Sequence, residues 1–370
     1  MIKKLFHIIK RIVRGLLGIF PWYINLYKGR AWYTKAAVGI VSFIVAIFLY
    51  LGMVDTNFLW LFGKSPGFVE IKTPPTYAAS EIYSADSVLI GRFYKENRTP
   101  VKYEEVNPAF WNALISTEDE RFYSHHGIDF MGIGGAIKDA LTRGDGRGAS
   151  TITQQLAKNM FRVRTQYSTG LLGHVPGLRM LIMKSKEWII AVKLELIYSK
   201  KEILTMYANT VDFGNNSFGV KTAARTYFNT TPARMTIDQA ATLVGMLKAT
   251  TYYNPITHPK NSIARRNTVL YNMVTHNVLP RAQYTQLSHR PLKLDIHVEE
   301  NYDGQAQYFR EYISDYLKDW MKENGYDLYS SGLRIYTTID TRLQKYAEQA
   351  AKKQMEKVQQ TFNNHWRGMQ

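Results

Sequence analysis

The sequence predicts a mainly α-helical protein: a helical domain behind a single N-terminal transmembrane helix, with a short β hairpin and linker elements. Three observations carry this. Residues 36–54 read AAVGIVSFIVAIFLYLGMV without one charge, and tracts between Asn107 and Asn277 repeat apolar residues at i, i+3 and i+4. Alternation of apolar with polar residues, the mark of strands, is confined to short stretches near 80–101 and 332–340.

Residues 1–35 carry eight Lys and Arg and no Asp or Glu, roughly half of the net charge of +17. The uncharged stretch 36–54 that follows is long enough, at about 1.5 Å per helical residue, to match a hydrocarbon core of about 30 Å. A basic flank keeps its side inside, so the expected topology is single-pass with the N-terminus cytoplasmic and the rest outside. A cleaved signal peptide fits less well, because the basic stretch is long and no small-x-small site follows Val54. Residues 55–104 form a connector, Gly- and Pro-containing at 63–78, then a hairpin around Ala85-Asp86-Ser87. Residues 105–280 hold the helical periodicity and form one domain. A mixed, aromatic-rich linker spans 281–330, and 331–370 read as a strand, GLRIYTTID, followed by a charged helix.

A 45% hydrophobic and 13% aromatic composition excludes disorder, and the absence of Cys excludes disulfides, thiolate metal sites and a Cys nucleophile. The basic surplus is largely juxtamembrane and comes without a nucleic-acid-binding motif, so no nucleic acid partner is expected.

The chemistry-bearing segments are individually weak. Thr117 to Gly127 packs three carboxylates, an Arg and two His at the end of an apolar helix, which a solvated helix end also explains. Gly144 to Asn159, GDGRGASTITQQLAKN, is a glycine-rich loop running into a helix, with Thr151 and Gln154 at capping-box spacing. Such a loop suits a phosphate or pyrophosphate but lacks the GK[ST] of a Walker loop. Lys184-Ser185-Lys186-Glu187 begins an apolar helix, with Lys184 and Glu187 on one face, as in any exposed ion pair.

Together and in order, TEDERFYSHHGID, GRGASTITQQLAKN, KSKE, KKEILTMYANTVDFGNNSFGV and LVGMLKATTYYNPITHP with Arg265-Arg266 resemble the five motifs of the peptidoglycan glycosyltransferases of family 51, the N-terminal catalytic domain of class A penicillin-binding proteins. The resemblance covers about residues 107 to 270. It implies a lysozyme-like two-lobed helical fold, and polymerisation of lipid II into glycan strands at the outer face of the cytoplasmic membrane. By the resemblance, Glu118 is the general base toward the acceptor 4-hydroxyl, with Asp119, Phe122 and His125 in support. Glu187 is the donor-site carboxylate, orienting the pyrophosphate directly or through a divalent cation, Mg or Mn, which makes it the candidate metal ligand. Lys158, Arg179 and Lys184 surround the pyrophosphate, and Ser150, Thr151, Gln154, Gln155 and Asn209 line the cleft. Implied partners are lipid II, nascent glycan, the membrane and other cell-wall synthesis proteins; no organic cofactor is implied.

Two features depart from the pattern. The third motif usually opens Arg-Lys and here opens Met183-Lys184, and the stretch from Arg162 to Ile182 is long, its apolar run Leu171 to Met183 reading equally as a lipid-touching flap or a packed surface loop. The segment GLRIYTTIDTRLQKYAEQAAKK resembles the entry to a transpeptidase domain, yet neither Ser-x-x-Lys nor Lys-Thr-Gly occurs. The expectation is a fragment of a bifunctional protein that retains glycosyl transfer, 331–370 being an incomplete transpeptidase-type start. The rival expectations are a lytic transglycosylase or muramidase, which shares the fold and paired carboxylates, and a catalytically idle scaffold for wall synthesis.

Overall fold

A computed structural model describes residues 21, 24–73, 80–93, 97–143, 148–164, 169–297 and 306–367. The basic residues Lys3, Lys4, Lys10, Arg11 and Arg14, the glycines Gly144 and Gly146, connector positions 74–79 and residues 165–168 lie outside them. In chain order the elements are α1 (Trp32–Asp55), α2 (Phe68–Lys72), β1 (Ser80–Tyr83), β2 (Leu89–Phe93), β3 (Asn97–Arg98), α3 (Pro108–Glu118), α4 (Phe130–Arg143), α5 (Ile152–Met160), α6 (Leu178–Ile197) and α7 (Lys200–Thr210). There follow β4 (Ser217–Phe218), α8 (Val220–Phe228), α9 (Ile237–Met246), α10 (Pro259–Thr275), α11 (Arg281–Ser288), α12 (Gln307–Asn324), β5 (Arg334–Tyr336) and α13 (Thr341–Arg367). The chain divides into two compact units: Met1–Ser65 with Arg164–Ile189, and Pro66–Val163 with Ile190–Gln370.

In the first unit, α1 is long and apolar enough to cross a membrane, with a mean hydropathy of 2.6 and almost no burial against protein. It starts four residues before the uncharged stretch, because the backbone is helical from Trp32 onward and extended at its N-cap Ala31, φ −60° and ψ 155°. Its C-terminal end is the exception to its exposure. Val54 is fully buried with Phe62 and Ile182, and Tyr50, Met53, Leu61, Leu172, Leu178 and Ile189 pack around them. The run Leu171 to Met183 is therefore divided: Leu172, Leu178 and Ile182 pack inward, while Leu171, Val175, Met180 and Leu181 stay exposed. Gly170 lets the chain close on this core. At φ +63°, an added Cβ would lie 2.5 Å from the backbone of Leu61 and Gly63. The helix carrying Lys184 and Glu187 starts at Leu178, earlier than the charged cluster suggests, because the turn that releases it is Gly177 at φ +83°.

Lys186, fully buried, donates from Nζ to the carbonyl of Lys64 at 2.8 Å. Burial pushes its ammonium down from 10.5 to about 8. Between those values the unfolded chain holds a proton the folded one has shed, so stability rises with pH across that window, by at most about 1.4 kcal/mol per pH unit. Thermal melts from pH 7 to 10 should show this rise in the parent and not in Lys186→Met.

In the second unit, α3, α9 and α10 pack together around Phe110, Leu114, Leu243, Val244, Val269, Leu270 and Met273, all essentially inaccessible. Beside them α5 packs on α7. Arg266, buried on α10, donates from Nη2 to the carbonyls of Ser288 and Arg290 and so ties down the chain leaving α11. The hairpin forms as expected: β1 and β2 pair antiparallel from Ser80↔Phe93 to Tyr83↔Leu89, with an irregularity between Ile82 and Tyr83. On its other edge β1 takes β5 in parallel, Ile82 opposite Ile335, giving a sheet ordered β2-β1-β5. Asp86 in the hairpin turn accepts from the Thr341 N–H and hydroxyl at the start of α13. Helices α11 and α12 occupy the stretch read as a linker. The α12 sequence does carry a helical pattern, Phe309, Ile313, Leu317 and Met321 recurring at i+4 with Met321 buried.

Candidate active site

Glu118 is the last residue of α3, whose start is set by Asn107, accepting from the Ala109 N–H, and by Pro108 in the first turn. Asp119 leaves the helix with φ −161° and turns inward. Its carboxylate accepts from His125 Nε2 at 2.9 and 3.0 Å and from the Ile152 N–H, the first residue of α5, at 2.9 Å. The Gly127 N–H donates to His125 Nδ1 at 3.2 Å, which assigns the proton on Nε2 and makes His125 a donor to Asp119. A carboxylate at a helix N-terminus also meets the positive end of the helix dipole.

The carbonyl of Gly127 accepts from Thr151 Oγ1 at 2.8 Å and Gln154 Nε2 at 3.0 Å. Thr151 also accepts from the Gln154 N–H, so half of the capping box forms while the Gln154 side chain serves Gly127 instead. Gly127, at φ +86°, approaches α6 so closely that a Cβ would sit 2.9 Å from the Ala191 backbone. Lys200 closes the bracket, donating to the His125 carbonyl and to Glu195, 4.4 Å from the centroid of the buried Phe122 ring. Asp119, Phe122, His125, Thr151 and Gln154 are thus brought together, and all are buried. They hold the loop after α3 against the start of α5.

The half-buried Glu118 is positioned from the same helix. Gln155 Nε2 donates to Glu118 Oε2 at 2.8 Å, and the fully buried Tyr207 hydroxyl donates to Gln155 Oε1 at 2.9 Å. Burial, with the charge of Glu118 as the lesser cause, raises the Tyr207 phenol well above its ordinary range, so it stays a neutral donor. The chain Tyr207–Gln155–Glu118 fixes the amide flip of Gln155 and hence the carboxylate's orientation. Tyr207→Phe should cost about 1 kcal/mol of stability. Glu118 would lose its fixed orientation, so kcat should drop about tenfold with little change in KM, measured by steady-state kinetics.

In the first unit, Glu187 is a buried carboxylate with 2% side-chain exposure, held by two cations. Arg164 Nε donates to Oε1 and Lys184 Nζ to Oε2, each at 3.0 Å. Arg164 supplies the second cation that Met183, itself buried, does not. Among the described residues no group of three or more His, Asp or Glu could hold a metal ion.

The remaining candidates are dispersed. Ser150 is half-buried just before α5, Lys158 half-buried in its last turn, and Arg179 exposed in the first turn of α6. Asn209 spends its side-chain amide on the backbone of Val101, accepting from its N–H and donating to its carbonyl, both at 2.9 Å. Arg164 and Tyr207 are the two residues that motif reading missed. Tyr207 sits inside the fourth motif, where a buried polar ring on the α7 face turned toward α5 is the only cue.

A family model described as Transglycosylase matches residues 86–274. Penicillin-binding protein 1A of Escherichia coli is 32% identical over 315 residues, 85% of this chain and 35% of that protein. Its namesake from Aquifex aeolicus is 33% identical over 325 residues, 88% of this chain and 42% of its own length. The chain therefore spans less than half the length of these relatives. The crystal structure of Penicillin-Binding Protein 1A from Haemophilus influenzae aligns over 74% of this chain and 29% of that one, at 22% identity and a TM-score of 0.41. With the family model covering half its length and relatives at about one-third identity along most of it, the chain belongs to the transglycosylase family, the peptidoglycan glycosyltransferases of the penicillin-binding proteins.

Proposed function

We propose that this chain polymerises lipid II, transferring the growing glycan from undecaprenyl diphosphate to the 4-hydroxyl of the acceptor N-acetylglucosamine, with inversion to a β-1,4 linkage. The observation that carries the reading is Glu118: one carboxylate oxygen is fixed by Gln155 and Tyr207, and the other is taken by no described residue. That arrangement suits a general base. Glu118 takes the hydroxyl proton as the oxygen forms its bond to C1 of the donor N-acetylmuramic acid, and the bond from C1 to the diphosphate oxygen breaks with its electron pair leaving on the diphosphate. Arg164 and Lys184, held by Glu187, supply positive charge for that anion, and Lys158 and Arg179 add to it.

Both oxygens of Glu187 are already 3.0 Å from cationic nitrogens, so the residues present do not fit a resident Mg or Mn there, and no step runs through one. The substrate is a membrane-borne isoprenoid diphosphate, which accords with a single-pass anchor at α1, N-terminus inside and catalytic residues outside. Other cell-wall synthesis proteins are the expected partners. Purified protein in detergent, given lipid II, should yield long glycan. Digestion of finished peptidoglycan without polymerisation would overturn the reading in favour of a lytic enzyme.

A further inference from the structure

Helix α12 lies outside the matched region 86–274 and carries a row of exposed aromatic rings. Tyr308, Tyr312, Tyr316 and Trp320 recur every fourth residue, and the four are between 48% and 88% exposed. At about 1.5 Å per residue the row is about 18 Å long. Its rings are ordered: Tyr312 and Tyr316 stack at 6.1 Å and 23°, and Trp320 stacks on Tyr326 at 5.6 Å and 16°. The helix is held on the sheet beneath by Arg310, buried and so close to Gly91 that a Cβ there would meet its side chain at 2.4 Å. Between α12 and the edge strand β5 runs a groove of about 520 Å³, lined by Tyr316, Leu317, Trp320, Leu333, Arg334 and Ile335.

Contiguous apolar surface of this kind marks a binding site rather than ordinary exterior. Its chemistry identifies the occupant. Every large apolar residue exposed on α12 is Tyr or Trp, with none of the exposed Leu, Ile, Met or Phe found elsewhere on the chain, so the surface is flat, rigid and ends in polar groups. Beside the aromatic row, three residues on from each Tyr, runs an exposed row of carboxylates at Glu311, Asp315 and Asp319. Carboxylates repel an anionic lipid surface but accept hydrogen bonds from hydroxyl and amide N–H groups. The C–H face of a pyranose ring stacks on an aromatic face, and its hydroxyls and acetamido N–H reach sideways to acceptors. Arg334 in the groove adds a donor for acetamido carbonyls.

We propose that the α12 face and the groove against β5 form a binding site for a β-1,4-linked, N-acetylated glycan strand, which engages several sugar rings in succession. That the strand is the chain's own product rests on the proposed polymerase activity; the sugar chemistry does not.

The test uses the whole chain in detergent and chitohexaose, a soluble β-1,4 N-acetylglucosamine hexamer, titrated by calorimetry with maltohexaose as comparator. The parent should bind chitohexaose and not maltohexaose. The double variant Tyr312→Ala/Tyr316→Ala should bind it about tenfold or more weakly, with unchanged helix content and lipid II turnover. Tyr312→Phe/Tyr316→Phe, which keeps the faces, should bind within about threefold of the parent, since only the hydroxyl contacts are lost. Equal binding by the alanine variant would overturn the proposal. So would a parent that ignores the sugar, whether the alanine pair then abolishes self-association or adsorption to phosphatidylglycerol vesicles. Glu118→Gln separates the two readings, because it should bind chitohexaose as the parent does while losing polymerisation. A variant that still polymerises would sink the proposed function and leave the glycan site standing.

Discussion

Glu118→Gln should lower the rate of lipid II polymerisation by about 10²- to 10⁴-fold, the usual contribution of a positioned general base. The substitution is isosteric. The carbonyl oxygen of the introduced amide can still accept from Gln155 Nε2, which lies 2.8 Å from the native carboxylate, so the Tyr207–Gln155 chain survives. Stability should therefore change by no more than about 1 kcal/mol, and the loss should fall on kcat while KM for lipid II moves little. An amide cannot take the acceptor's proton at neutral pH, so the loss falls on the proton-transfer step itself. Product length on gels, with unfolding in the same detergent as control, checks this. Parental turnover by Glu118→Gln would remove the base from the mechanism.

What was legible beforehand follows the range of the interactions. The transmembrane stretch, the hairpin turn at Asp86 and the Thr151 cap of α5 depend on residues within a few positions of one another, and these the pattern displays. The pairing of β1 with β5 joins residues some 250 positions apart, as does the Asp86–Thr341 contact, and neither leaves a local trace. Within the site, the resemblance gave Asp119 and His125 as support for Glu118 and Thr151 and Gln154 as lining the cleft, without the contacts that join them. In the fold these side chains hydrogen-bond one another and the Gly127 and Ile152 backbone, with Asp119 serving both His125 and the first turn of α5. Asn209 carries the same lesson, since its amide is matched to the Val101 backbone, a relation only the fold brings about.

The buried Glu187 should prove most sensitive to losing both of its cations. At 2% exposure it cannot recover hydration, whereas Arg164 and Lys184 are 44% and 32% exposed and solvate readily. Arg164→Ala or Lys184→Ala alone leaves one partner in place and should cost about 1 kcal/mol, because a half-exposed cation is largely screened. Together they strand an ionised carboxylate in the interior, which should cost about 3–5 kcal/mol, well above the sum of the singles. Adding Glu187→Gln to the double variant should restore most of that, since a neutral amide has no charge to compensate. Thermal unfolding of the four variants gives the coupling directly, and a double variant no less stable than the singles would sink the account. Met183 shows why the second cation comes from Arg164, 23 residues from Glu187 in sequence. Position 183 is buried, so an Arg there would need its own partner, whereas Arg164 reaches the carboxylate from a solvated position. Lipid II turnover should fall further in the double variant than stability explains, by about 10²-fold, if the pair also faces the leaving diphosphate.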